Sequence, residues 1–368
     1  MMVDRRPYLI SASFLVLLAA CSPAEEPPEA GSEGEGNGSI ELLDGPAGPE
    51  DLVSVGGTPW VIASSMAENP ESSEHGASGR LVAIDSESNQ MREVWSQDEQ
   101  SAQWDEETYG ECPGPPDADI ASPHGLDIEA EADGAHILYA VNHGGREAVE
   151  VFELDVSGDF PKSVWVGCVE MPANVFPNGV AAVPDGDGIV VTNMKSSEDP
   201  GDMEKMFAGE DTGEVIEWSP DEGWEEVPGS AMPAPNGVAI SEDGQAVFVA
   251  SWTSREIVRL ARDSDVERSV AEVEFLPDNL RWSPDGGLLV TGQPLRSFDE
   301  FTACQADHEQ CPAGFSVVEI DPDAMEGREV FHSDSEVFRL ATTALPVGDE
   351  TWIGSVAGTD IARIPASG

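Results

Sequence analysis

The chain is 368 residues long and carries 72 acidic against 17 basic side chains, a formal net charge of −55. That balance excludes nucleic acid and anionic lipid headgroups as partners, because the chain repels both. Lysine is confined to Lys162, Lys195 and Lys205, and an acidic, lysine-poor surface fits an exported protein in a saline medium, where salt screens self-repulsion.

Residues 1–20 read as a lipoprotein signal peptide. Arg5 and Arg6 form a basic start, Tyr8 to Leu18 is apolar but too short to span a bilayer comfortably, and Leu18-Ala19-Ala20-Cys21 matches a bacterial lipobox. Cleavage before Cys21 leaves that cysteine to carry lipid, and Ser22 after it favours the outer membrane over the inner. The expectation is an exported, membrane-anchored bacterial lipoprotein. Residues 21–40 are rich in Glu, Pro, Gly and Ser. Such a segment cannot bury a core and is expected to be a flexible acidic tether. No second shift of composition follows, so residues 41–368 are expected to form one domain.

Within that domain five stretches share one layout, a Pro-, Asp- or Asn-centred turn leading into an apolar strand. They are PEDLVSV from Pro49, PHGLDIE from Pro123, PNGVAAV from Pro177, PNGVAIS from Pro235 and PDNLRWS from Pro277. Each is followed by a second strand-like run: WVIASS, ILYAVNH, GIVVTN, AVFVAS and LLVTGQ. Further strand patterns are RLVAID, AVEVFELD, GEVIEW, EIVRLA, FSVVEID and TWIGSVAGTDIARI. A sixth group, ATTALPVGDETWIGSVAG, follows the fifth. Repeats of this length predict an all-β chain folded as a six-bladed β-propeller. The wide first spacing leaves an acidic insertion over residues 90–120, which holds Cys112.

Besides Cys21 the cysteines are Cys112, Cys168, Cys304 and Cys311. An even number in an exported chain favours two disulfides. Of the three pairings, 304–311 with 112–168 is favoured, because Cys304 and Cys311 flank one short acidic loop. Zinc is disfavoured, since there is no CxxC and no HExxH.

A lone Pro-Asn-Gly is an ordinary turn signal. Its recurrence at equivalent points is what suggests a site. On a propeller the turns converge near the axis and bring together Glu50, His124, Asn178, Asn236, Asp278 and Asn279. Five of these supply only oxygen, a donor set suited to calcium, with two carboxylates to balance its charge and three neutral amides. Of the six histidines, His75, His136, His308 and His332 fall outside the pattern. His124 lies in the second repeat's turn and His143 ends the strand that follows, so the pair is the candidate catalytic dyad.

Taken in order, PEDL, SPHGL, YAVNHGGREAVEVFEL, PNGVAIS with SEDGQAVFVA, and DNLRWSPDGGLLVTG resemble segments of the paraoxonases. These are a family of calcium-dependent lactonases and arylesterases built on six-bladed propellers, and the resemblance spans residues 46–364. A more distant likeness is to the gluconolactonase and senescence-marker propellers. The resemblance implies that Glu50, Asn178, Asn236, Asp278 and Asn279 hold a catalytic calcium. It implies His124 as general base with His143 as its partner. It also implies a second, structural calcium, for which Asp51 and the carbonyl of Leu126 match two ligands; a third ligand, an Asp, is here Gly179. Gln293 replaces a cleft histidine of some members, and the cysteines that join the chain ends in animal members are absent.

The function so implied is calcium-dependent opening of lactones with promiscuous arylesterase activity. The partners implied are a small-molecule lactone or ester and, through Cys21, a membrane, with no protein partner. A GxSxG elbow is lacking, which fits hydrolysis without a covalent intermediate. The alternatives are a sugar-lactone hydrolase with a polar pocket and a non-catalytic propeller presenting a ligand-binding face.

Overall fold

A computed structural model describes residues 39–66, 79–95, 102–117, 119–130, 134–184, 186, 188–196, 201–262, 264 and 268–366. The expected signal peptide, Cys21 and nearly all of the tether lie outside the described residues.

The described strands form six four-stranded antiparallel sheets. Strand β1 is Glu41–Asp44. The first blade follows as β2 (Pro49–Ser54), β3 (Trp60–Ser65), β4 (Arg80–Asp85) and β5 (Met91–Glu93). The second is β6 (Pro123–Ala130), β7 (His136–Asn142), β8 (Ala148–Asp155) and β9 (Lys162–Glu170). The third is β10 (Val175–Ala182), β11 (Ile189–Ser196), β12 (Glu214–Ser219) and β13 (Gly223–Glu226), with helix α1 (Asp202–Phe207) between β11 and β12. The fourth is β14 (Pro235–Ile240), β15 (Ala246–Ser251), β16 (Glu256–Ala261) and β17 (Arg268–Glu272). The fifth is β18 (Leu276–Trp282), β19 (Leu288–Gln293), β20 (Phe315–Asp321) and β21 (Glu326–Ser333), with helix α2 (Phe298–Ala306) between β19 and β20. The sixth holds β22 (Ala341–Val347), β23 (Glu350–Ser355) and β24 (Asp360–Pro365), and β1 completes it by pairing with β24 from Glu41↔Arg363 to Asp44↔Asp360. The fold is the expected six-bladed propeller, and TWIGSVAGTDIARI is two strands with a turn between them.

The first strands of the blades touch in a closed cycle, β2 to β6, β10, β14, β18, β22 and back to β2, and so line the axis. A separate apolar cluster fills each gap between neighbouring blades. Every second strand is therefore covered on both faces. This is why WVIASS and AVFVAS are buried throughout and open on unbroken apolar runs, WVIA and AVFVA, instead of alternating.

The repeated turns are corrected in kind. They lie inside the first strand of each blade, at a break in register. The breaks fall at Pro49/Asp51, Pro123/Leu126, Pro177/Val180, Pro235/Val238, Pro277/Leu280 and Ala341/Ala344. A β-bulge leaves residues out of the ladder and re-aims their side chains, here toward the axis. The glycines that follow His124, Asn178 and Asn236 are required by crowding. A Cβ on Gly125 would lie 2.2 Å from the Asn178 carbonyl oxygen, one on Gly179 2.8 Å from that of Asn236, and one on Gly237 2.5 Å from that of Asp278. The disulfides are Cys112–Cys168 and Cys304–Cys311, as expected.

Candidate active site

The bulges place their predicted ligands in one buried group at the axis. Glu50, Asn178, Asn236, Asp278 and Asn279 are all nearly inaccessible to solvent. Asn279 Nδ2 donates to Glu50 Oε1 at 2.8 Å and to the Thr343 hydroxyl at 3.1 Å, which fixes its amide plane. Gln293 Nε2 donates to Asp278 Oδ2 at 2.6 Å and to the Ala341 carbonyl at 2.8 Å, and its Oε1 accepts from Trp252 Nε1 at 2.8 Å.

Seven buried side-chain polar atoms lack a hydrogen-bond partner among the described residues, and three of them are Glu50 Oε2, Asn178 Oδ1 and Asn236 Oδ1. A buried oxygen left without a donor is costly. Three such oxygens from three different blades, beside the Asp278 carboxyl, fit a hard cation coordinated by oxygen. The charges agree. Burial pushes the Asp278 carboxyl well above the usual carboxylate range, and the Glu50 charge adds to this. A bound cation offsets both causes. No three His, Cys, Asp or Glu side chains cluster as a metal site among the described residues; the donor set is two carboxylates with amides.

The dyad is also brought together. His124 Nδ1 and His143 Nε2 are 2.9 Å apart, although the residues come from β6 and from the end of the β7 hairpin arm. His143 Nδ1 lies 2.6 Å from Glu147 Oε2, and Phe176 stacks flat on its ring at 4.5 Å. A carboxylate only accepts, so the proton on His143 sits at Nδ1 and its Nε2 accepts from His124 Nδ1–H. His124 Nε2 is thereby left with a lone pair facing Glu50 Oε1 at 3.6 Å. Burial acts to lower the pKa of His124, but the carboxylates of Glu50, Asp278 and Asp51 outweigh it and the net shift is upward. Burial lowers that of His143, and Glu147 only partly opposes it.

The two residues matched to a second ion also meet. Asp51 Oδ2 accepts from the Leu126 amide at 2.8 Å, and Oδ1 from the Leu52 amide at 2.9 Å, with the Thr343 hydroxyl 2.7 Å away. The Arg281 guanidinium lies 2.5 Å from Asp51 Oδ2 and donates to the Leu126 carbonyl at 3.1 Å. With both carboxylate oxygens and the carbonyl already engaged, this pair does not fit a second metal ion.

Four site residues escaped the sequence reading: Glu147, Arg281, Gln293 as a partner of Asp278, and Thr343. Thr343 had a signal, since Thr342-Thr343 stands at the sixth bulge, where the other blades carry their ligands. The others had none, because their roles arise from contacts between blades.

An aromatic cluster, or wall, adjoins this group through Trp252. Helix α1 and helix α2 rise from the second-to-third-strand connections of their blades. Phe207 of α1 packs on Trp252 and on Phe298 and Phe301 of α2, with ring centroids 5.4–5.7 Å apart. Trp252 reaches the site itself through Gln293. The Cys304–Cys311 disulfide is buried in one cluster with Trp252, Met206 and Leu295.

The ring of six blades thus carries an oxygen-lined, buried site on its axis with a histidine pair beside it. A family model described as Arylesterase matches residues 111–357, two thirds of the chain, and the chain belongs to that family. Its chemistry is accordingly of the ester-hydrolase kind, with a small-molecule ester as substrate class. Among solved structures, a luciferin-regenerating enzyme is similar at 12% identity with a TM-score of 0.55, over 90% of this chain and 96% of that one. A protein from Bacteroides thetaiotaomicron, described as of unknown function, is similar at 10% identity with a TM-score of 0.53, over 89% of this chain and 75% of that one. At such identities these likenesses concern the fold alone. No curated protein matches.

Proposed function

We propose that the chain is a calcium-dependent hydrolase that opens lactones and also cleaves aryl esters. The observation that carries this reading is the set of partnerless buried oxygens on Glu50, Asn178 and Asn236 beside a hydrogen-bonded histidine pair whose outer nitrogen, His124 Nε2, faces Glu50. Glu50, Asn178, Asn236, Asp278 and Asn279 would hold the ion. When bound, calcium supplies positive charge against the ester carbonyl oxygen, where negative charge develops on attack. His124 Nε2 takes a proton from water as that water attacks the carbonyl carbon. His143 and Glu147 keep the accepting nitrogen on the site side. The same proton is the one that the departing ring alkoxide needs, and His124 returns it.

The wall of Phe207, Trp252, Phe298 and Phe301 favours a lactone with an apolar chain over a sugar lactone, which needs hydrogen-bonding partners. The test is kcat/KM on an aliphatic lactone, an aryl ester and a sugar lactone, with chelator and after calcium is restored. The expected result is loss of aliphatic lactone hydrolysis in chelator, recovery with calcium, and a Tm lowered by several degrees without the ion, since a ligand of the folded state stabilises it by mass action. Full activity and an unchanged Tm in chelator would remove the metal from the mechanism. A preference for the sugar lactone would instead favour the gluconolactonase-like reading.

A further inference from the structure

The guanidinium of Arg281 is placed unlike any other basic group described. Its residue belongs to β18 in the fifth blade, yet its side chain crosses the axis to the first and second. Nε donates to the Leu52 carbonyl at 2.8 Å, Nη1 to the Leu280 carbonyl at 2.8 Å and Nη2 to the Leu126 carbonyl at 3.1 Å, with Asp51 Oδ2 at 2.5 Å. The side chain is 12% exposed and that of Asp51 2%. One planar cation thus satisfies three main-chain carbonyls and a buried carboxylate from three blades, a task for which a fork of fixed donors is suited.

Asp51 has no capacity left. Its two oxygens meet the Leu126 amide, the Leu52 amide, the Thr343 hydroxyl and Arg281, which together fill about four lone-pair sites. Position 179 cannot add a carboxylate, because a Cβ there would stand 2.8 Å from the Asn236 carbonyl oxygen and 3.1 Å from Gly237. Arg281 also lines a cavity of about 610 Å³ at the other end of the axis, together with Asp127, Ala182, Ile240 and Trp282. Asp51, on its far side, is the chain neighbour of Glu50. The guanidinium therefore lies between that cavity and the oxygen-lined site.

We propose that Arg281 is this protein's fixed substitute for a second cation: it neutralises Asp51, closes the axis beneath the oxygen-lined site, and leaves the chain able to hold one ion there instead of two. The ion count rests on the calcium reading of the oxygen-lined site, whereas the charge and packing role of Arg281 rests on neither that reading nor the hydrolytic step. It is tested by the stoichiometry of calcium bound to the full chain, measured by titration calorimetry, and by Tm with and without calcium for wild type and Arg281→Met. Wild type is expected to bind one ion, and two ions bound with Arg281 in place would overturn the proposal. Arg281→Met strands a buried carboxylate, so its Tm in chelator is expected to fall by roughly 5–10 °C. Calcium should restore more of that loss than it adds to wild type, as a second ion enters beside Asp51 and the Leu126 carbonyl. An unchanged Tm for Arg281→Met overturns the proposal whatever wild type binds; no ion bound by wild type overturns the calcium reading and with it the ion count, and leaves the Tm of Arg281→Met in chelator to decide the bridging role. If Arg281→Met does not fold, Arg281→Lys carries the test. A point charge can face Asp51 but cannot reach three carbonyls, so a lower Tm with one bound ion is expected, and a wild-type Tm would refute the guanidinium bridge.

Discussion

Which nitrogen of His124 faces the site is decided by a carboxylate that never reaches it. Glu147 accepts from His143, His143 from His124, and the free lone pair of the neutral pair falls at the far end of the relay, on the nitrogen that faces Glu50. A general base is worth about 10²–10⁴-fold, so His124→Gln is expected to lower lactone kcat by roughly 10²-fold while calcium affinity stays at the wild-type value. Glu147→Gln can donate as well as accept, which lets the relay reverse; a loss of about 10-fold in kcat with KM nearly unchanged is expected. If both variants turn over like wild type, the histidine pair is a packing element and the water is activated elsewhere. The residues that could be read from the chain were those repeated in register: Asn178 and Asn236 in identical motifs, Glu50, His124 and Asp278 at the same point. Arg281, Gln293 and Glu147 carry no such mark. Arg281 acquires its role from Leu126, 155 positions away, and Gln293 from Trp252, 41 positions away.

At the level of the element, the bulge is the device that builds the site, and its glycine is as necessary as its ligand. Gly125, Gly179 and Gly237 are absent from the positive-φ residues, so they serve close approach and not a left-handed turn. In Gly237→Ala the added carbon meets the Asp278 carbonyl oxygen at 2.5 Å and Asn279 Cα at 2.6 Å, both backbone and both belonging to ligands. Overpacking of this kind costs about 1–3 kcal/mol, and Tm should fall by several degrees together with calcium affinity. Gly56→Ala, which meets nothing within 4 Å, should leave both unchanged and serves as the control. Equal behaviour of the two variants would mean that the axis can relax and that bulge geometry does not set the ligands. Strands were legible as short apolar or alternating runs bounded by turn residues, because burial on one or both faces selects them. RLVAID and AVEVFELD coincide with β4 and β8 residue for residue. The bulges were not told apart from turns, since Pro, Asn and Gly favour both, and α1 and α2 were missed because short helices in inserted connections show little periodicity.

For the whole molecule, the lipobox ending at Cys21 and the acidic stretch after it motivate a proposal on location: the propeller is exported and held at a membrane by lipid on Cys21. Cys21→Ser should move the protein from the membrane fraction to the soluble fraction or block its processing, read by fractionation and by intact mass. A Cys21→Ser protein that is still processed and membrane-bound would end that proposal. A net charge of −55 offers no attraction to anionic headgroups, so such a protein would have the lipid alone to hold it. The seal of the ring has a consequence in time. Strand β1 is synthesised before every blade, yet its place lies beside β24, which is made after all of them, with Glu41 opposite Arg363. Bringing together two segments that far apart costs on the order of 5 kcal/mol in chain entropy. The hydrogen bonds that offset this cost do not exist until the last strand has arrived. A chain still being made must therefore wait with β1 unpaired, so translation order alone makes the sixth blade the last to close and the first place where an unfinished or nicked copy would come open.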